Sequence, residues 1–99
     1  MIRRFPIKVL RQARRQIDEA SQWWRRNRSK APNAFSEELE NAFDLLSTHP
    51  NVGVQIADFE GVRRLHLSRI HYYLYFRTSA RSIEILALWH TSRGSAPRL

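Results

Sequence analysis

A chain of 99 residues with 42% hydrophobic residues and three tryptophans has room for one domain spanning 1–99 with one modest core, and excludes a second domain or a disordered chain. The lack of cysteine excludes disulfides and thiolate zinc sites. No window approaches the ~18 apolar residues of a membrane span, and Met1–Leu10 lacks the apolar run of roughly 7–15 residues that a signal peptide needs, so a cytoplasmic protein without a membrane partner is expected.

The formal charge of +8 is unevenly spread. Residues 1–30 carry ten Lys or Arg and two acids, residues 31–60 none and six, and residues 61–99 seven and one. An acidic middle between two basic ends argues against uniform, unspecific adhesion to nucleic acid. Its plainest account is that the middle acids pair with nearby arginines and the remaining charge keeps the protein soluble.

In chain order, Phe5, Ile7 and Val9 alternate with Pro6 and Lys8, a period of two that predicts a short strand, with Pro6 confining it to a sheet edge or to its opening residues. The period then lengthens. Ala13, Ile17, Ala20 and Trp24 recur at helical steps with Trp23 beside them, which predicts an amphipathic helix over 11 to about 28, with Arg14, Arg15, Asp18, Glu19, Arg25 and Arg26 on its wet face. The stretch Asn27–Asn33 reads as a loop, and Pro32 suits the first turn of a second helix. That helix carries the stripe Phe35, Leu39, Ala42, Phe43 and Leu46 and is ended by Pro50.

Strands follow. Val54–Phe59 is a weak one, Asp58–Gly61 a turn, and Val62–Leu67 alternates, with Leu65 and Leu67 opposed to Arg64 and His66. In Tyr72–Arg77, Tyr72, Leu74 and Phe76 oppose Tyr73, Tyr75 and Arg77, and Thr78–Ser82 is a hairpin loop. Ile83–His90 is apolar on both sides, as a central strand is, with Leu86, Leu88 and His90 expected on one side. Residues after Arg93 read as an irregular tail. The order predicts an α+β fold of two layers, an N-terminal strand and an antiparallel helical hairpin packed on a sheet.

These residues carry a resemblance. The Ala13 and Ile17 pattern, Ala34-Phe35 with Leu39, His49-Pro50-Asn51-Val52-Gly53, Val62-Arg63-Arg64-Leu65, the Tyr72–Arg77 strand and Ile83–His90 followed by Arg93 together resemble the RelE/ParE toxins of type II toxin-antitoxin systems over most of the chain. The resemblance implies a β-α-α-β-β-β layout with a curved antiparallel sheet, no cofactor, and neutralisation by an antitoxin whose flexible C-terminal segment folds onto the toxin. It also implies one of two targets. RelE-like toxins cleave messenger RNA in the ribosomal A site; ParE-like toxins poison DNA gyrase.

Metal-free RNA cleavage needs a base for the 2′-hydroxyl proton, an acid for the leaving oxygen, and cations for the charge on phosphorus. Arg77, His90 and Arg93, with Arg63, are the candidates for catalytic roles, and Tyr73 and Tyr75 beside Arg77 offer rings on which bases could stack. Against this, the second-strand region offers Gln55, Asp58 and Glu60 but no lysine, Glu60 adjoins the turn residue Gly61, and His90 is followed by Thr91 and Ser92. A histidine here followed by Arg93 looks more like the ParE-like pattern. On that reading no residue is catalytic, Arg77, His90, Arg93 and Arg98 bind the target, and His90 is a strand-end residue bonded locally. Arg11, Arg14, Arg15, Arg63 and Arg64 are the candidates for binding an acidic antitoxin. His66 and His71 would fall on opposite faces of a continuous strand and make no metal site, and Trp23 and Trp24 read as core and edge residues.

Overall fold

The computed structural model describes residues 4–99. Met1–Arg3, the start of the stretch weighed as a signal sequence and the site of one N-terminal cation, lie outside the described residues. The elements are β1 (Ile7–Val9), α1 (Arg11–Asn27), α2 (Ala34–Thr48), β2 (Val54–Gln55), β3 (Val62–Leu67), β4 (Tyr72–Thr78) and β5 (Ile83–His90). Both helices lie on one face of a five-stranded sheet ordered β1-β5-β4-β3-β2. No helix among the described residues is long and apolar enough to cross a membrane.

α1 meets the sheet through the predicted stripe. Ala13 and Ala20 are nearly free of solvent, and their small side chains let the helix axis settle close on β5. Trp24 is buried against Phe35, with ring centroids 6.4 Å apart, while its indole N–H donates to the Ala31 carbonyl at 2.8 Å. The Ala34 amide donates to the same carbonyl, which folds residues 31–34 into a turn. α2 therefore starts at Ala34 with Asn33 as its N-cap, and Pro32 stands in the turn before it rather than in the first helical turn. Leu46, Leu74, Phe76, Ile70, Ile83 and Ile85 are fully buried between the layers, each contributing about 1.5–3 kcal/mol by leaving water.

From β2 to β5 the sheet is antiparallel. β1 joins parallel to β5, Ile7 opposite Ile83 and Val9 opposite Ile85, and the sheet is mixed because the helical hairpin and three strands, more than enough for a parallel crossover, separate the two. Pro6 precedes this edge strand and accepts from the Ile83 amide at 2.9 Å, so its missing N–H costs no ladder bond. At the opposite edge β2 is only two residues long, shorter than the predicted Val54–Phe59, since residues 57–61 turn back towards β3.

One register shift decides where side chains point. Tyr75 pairs with Ala87 but Phe76 pairs with Ile85, so Leu86 is an extra residue in β5, a β-bulge. Ile83, Ile85 and Leu88 pack under the helices, whereas Leu86, Ala87 and Trp89 join Val62, Tyr73 and Tyr75 on the outer face. The expected alignment of Leu86, Leu88 and His90 on one side is thus corrected: Leu86 faces outward, and the bulge after it brings Leu88 under the helices.

Gly53 has φ +84°, and a Cβ placed there would stand 2.6 Å from the Arg64 carbonyl oxygen; Gly61 has φ +78° and open space around it. Gly61→Ala should cost about 1 kcal/mol from backbone strain alone, and Gly53→Ala about 2–4 kcal/mol because β2 must also move off β3. Urea midpoints of the two variants check this, and equal losses would show that the close approach does not hold.

Candidate functional site

β1 ends opposite Ile85, and beyond that point α1 takes over the free edge of β5. The Leu10 amide donates to the Ile85 carbonyl at 3.1 Å, and Gln16 Oε1 accepts from the Leu88 amide at 2.9 Å. Past this contact, helix and strand separate into a groove of about 480 Å³. Arg15, Gln16, Glu19, Ala20, Trp23 and Arg26 line it from the helix, and Tyr72, Leu88, Trp89, His90 and Arg93 from the end of the sheet. Three arginines face one glutamate, above a floor of buried Ala20 and Leu88.

His90 is held in one tautomer. The Ser92 amide, which can only donate, approaches Nδ1 at 3.1 Å, so Nδ1 is the acceptor and the ring proton sits on Nε2. The Ser92 hydroxyl adds a 2.7 Å contact to the same nitrogen. The ring also meets Tyr72 edge to face at 5.1 Å. Arg93 lies over the Trp89 ring at 4.1 Å, and Trp89 Nε1 donates to the Ser95 carbonyl at 2.6 Å. The last residues carry no regular structure, as expected, yet they are tied down: Gln12 Nε2 donates to the Arg98 carbonyl at 2.7 Å, and Pro97 is buried.

The residues singled out in the sequence divide among separate places. His90 and Arg93 share the groove, and Arg98 lies beside the start of α1 through its carbonyl. Arg77 is elsewhere: its Nε donates to Glu84 at 2.6 Å, at the end of the β4–β5 pair opposite to Tyr72 and His90. Arg11, Arg14 and Arg15 line one shallow surface along α1. Arg64 stands over the Tyr73 ring at 4.0 Å on the outer sheet face, and Arg63 Nη1 reaches the Gly53 carbonyl at 3.3 Å. Trp24 is core, while Trp23 is 42% exposed at the lip of the groove. His66 packs against Tyr73, and His71 holds φ +65° in the β3–β4 turn. Glu60 is an exposed turn residue.

Of the six acids of the middle segment, Glu37 alone pairs with an arginine among the described residues, so the expected general pairing does not hold. The ion pairs among the described residues are Arg69–Glu37 and Arg77–Glu84, so Glu38, Glu40, Asp44, Asp58 and Glu60 remain outside any pair. The basic groove is equally unneutralised, for Arg15, Arg26 and Arg93 belong to neither.

The sequence model of the ParE toxin of type II toxin-antitoxin systems, parDE, matches residues 7–94. The chain belongs to the ParE toxin family. A solved structure described as the chromosomal ParDE TA system from P. aeruginosa is similar to it with a TM-score of 0.74 and 22% identity, covering 91% of this chain and 99% of that one. The YoeB dimer from Staphylococcus aureus is similar with a TM-score of 0.58 and 13% identity, over 88% and 97%. At these identities the two structures show the shared fold. No curated protein matches the chain in sequence. As a ParE toxin the chain is the toxin component of a type II system, and the groove at the end of β5 lies inside the matched region.

Two contributors to this site were not singled out in the sequence. Gln16 had a signal, for it is an amide sitting in the apolar stripe between Ala13 and Ala20, where a polar side chain needs a buried partner. Ser92 had none, because its role depends on how the chain turns after His90.

Replacing Gln16 by Leu should leave the Leu88 amide without its acceptor and cost about 1–3 kcal/mol. Faster hydrogen exchange at Leu88 would report it, and an unchanged rate would show that the amide finds another partner. Tyr72 gives a second test. Burial pushes its hydroxyl pKa above the usual value, and Arg93 opposes this in part. The unfolded chain releases that proton at about pH 10 and the folded chain only at higher pH, so the contribution is full below about pH 10 and is lost as pH rises through the folded value. Tyr72→Phe should therefore flatten the alkaline fall in stability above about pH 10; an identical fall in the variant would remove Tyr72 as its source.

Proposed function

We propose that this ParE toxin arrests growth by docking on DNA gyrase through the end of β5 and the tail that follows, without chemistry of its own, and that a cognate antitoxin neutralises it in the cytoplasm. Gyrase comes from the resemblance to ParE-like toxins. The observation that carries the non-catalytic half of the reading is the distance between the candidate reacting groups. Arg77 and His90 lie at opposite ends of the β4–β5 pair, roughly 20 Å apart at ~3.3 Å per residue, whereas a base, an acid and a cation acting on one phosphate must sit within hydrogen-bond reach of it. Arg77 is moreover engaged by Glu84. The tautomer of His90 supports the same view, since Nε2 carries a proton and the lone pair of Nδ1 is used by Ser92. Such a ring offers a donor to a partner and not a base to a substrate.

Pulse-labelling of DNA and protein synthesis within minutes of inducing the chain alone tests this, together with a supercoiling assay on purified gyrase. DNA synthesis should stop first, purified toxin should inhibit supercoiling, and His90→Gln, which keeps a donor, should weaken killing by less than about tenfold, while the Arg93→Gln, Arg98→Gln double variant should lose more. If translation stops first and His90→Gln abolishes killing, the chain is instead a ribosome-dependent endoribonuclease.

A further inference from the structure

The wet face of α1 carries a charge that no ion pair among the described residues answers. At about 100° per residue, Arg11, Arg14, Arg15, Arg25 and Arg26 fall within roughly 140° of arc, opposite the stripe of Ala13, Ile17, Ala20 and Trp24 that packs on the sheet. All five are exposed and none belongs to an ion pair. They form two groups, Arg11, Arg14 and Arg15 in the first turns and Arg25 and Arg26 in the last, separated by roughly 15–22 Å at ~1.5 Å per residue. Between the groups the same face presents Asp18, Glu19 and Gln22. The first group is placed against local preference, since cations at a helix N-terminus oppose its dipole and no acid stands in that turn. Stability gives no reason for such a placement. On the α2 side, Glu40 shares a cleft with Asp18, which gives the face an acidic border there and leaves the other side open.

We propose that this face of α1 binds the phosphate backbone of duplex DNA, the helix lying across a major groove with one arginine group on each phosphate rail. Charge complementarity with a polyanion is the first argument, and the spacing selects the kind. A major groove is about 12 Å wide, a gap that the two groups bracket once their side chains reach outward. Asp18, Glu19 and Gln22 then stand over the groove, where no phosphate meets them. A flexible polyanion offers no such gap and would set its charges against both acids. A single strand also needs open rings between the cations on which its bases stack, and this arc holds none. An acidic peptide needs apolar anchors, which the arc lacks as well. A lipid surface takes up a helix by its apolar face, and that of α1 is buried on the sheet. The inference does not depend on what the end of β5 meets. It adds a separate surface that holds the toxin on DNA by its backbone, without reading sequence.

The test follows the full chain as it binds fluorescent DNA duplexes of two unrelated sequences over a range of salt, with oligo-dT, an RNA duplex and anionic lipid vesicles as competitors. Both duplexes should bind equally, and the logarithm of the affinity should fall against the logarithm of salt with a slope of about −4, as for about four or five neutralised phosphates. Arg11→Gln and Arg25→Gln, one from each group, should each weaken binding roughly fivefold or more at about 0.1 M salt and reduce the slope by about one. Gln forms helix about as well as Arg, so these losses report contacts and not folding. Arg81→Gln removes the same charge from the far hairpin loop and should change the affinity by less than about twofold. Asp18→Asn should do as little, because no phosphate stands opposite it. A tenfold gain in Asp18→Asn, on the order of one new phosphate contact, would overturn the crossing geometry. Equal losses in Arg11→Gln and Arg81→Gln would reduce the effect to net charge and overturn the site. Tighter binding of oligo-dT, RNA or vesicles, or no binding of the duplexes at low salt, would overturn duplex DNA as the partner.

Discussion

The single extra residue in β5 sets the geometry on which the site depends. With strict alternation through Ile83–His90, Leu88 would fall on the outer face together with Leu86 and His90, and Trp89 would point under the helices. The bulge at Leu86 reverses that parity. Ile83 and Ile85 hold the core before it, Leu88 returns to the core after it, and Trp89 emerges on the outer face while His90 reaches the helix side beside Tyr72. The disrupted edge is secured from α1, where Gln16 accepts the Leu88 amide one residue beyond the last bulge pairing. A bulge leaves unpaired backbone that either meets water or a side chain; here the helix supplies part of the answer, and the groove begins where the helix stops doing so.

Charge is organised by the same architecture. Two helices of opposite character lie side by side on one sheet, α1 rich in arginine and α2 rich in glutamate, and their wet faces point away from the shared core. The fold therefore keeps apart charges that the sequence places only a loop away from one another, and Arg69–Glu37 is a long-range pair with both partners half exposed, which contributes little to stability. Such segregation has a cost, since like charges crowd along α1, and it persists where a partner of opposite sign relieves it.

Much of the fold was legible in the sequence because its signals are periodic. The four-three-four spacing of Ala13, Ile17, Ala20 and Trp24 gave α1 within a residue at its C-terminal end, and the alternation through Tyr72–Arg77 gave both the strand and its faces. Pro6 marked an edge. What escaped were features that leave no period. Ile83–Trp89 is apolar almost throughout, so one additional residue changes its facing without changing its pattern. β2 stops at Gln55 because residues 57–61 turn back towards β3, a reversal that the residue pattern of Val54–Phe59 did not mark. Of the candidate site, His90 and Arg93 were named and do share one groove, but Arg77 was grouped with them on the assumption of a common face, and the register places it at the far end of the strands.

The occupied state of the aromatic and basic side chains points to the kind of work this surface does. A site that breaks bonds keeps its reactive atoms uncommitted and converging on one point. Here the reverse holds: Arg77 is bonded to Glu84, Arg64 and Arg93 rest on tyrosine and tryptophan, and the one lone pair of His90 is taken by Ser92. What remains available is a set of N–H groups fixed in direction by those contacts, arranged around an apolar floor. Fixed donors with nothing to donate to are arranged for a preformed acceptor, and because each is held by packing already present in the free chain, association need not pay again for ordering them. That is the physical difference between a docking surface and an active centre, and the docking proposed for the end of β5 rests on it.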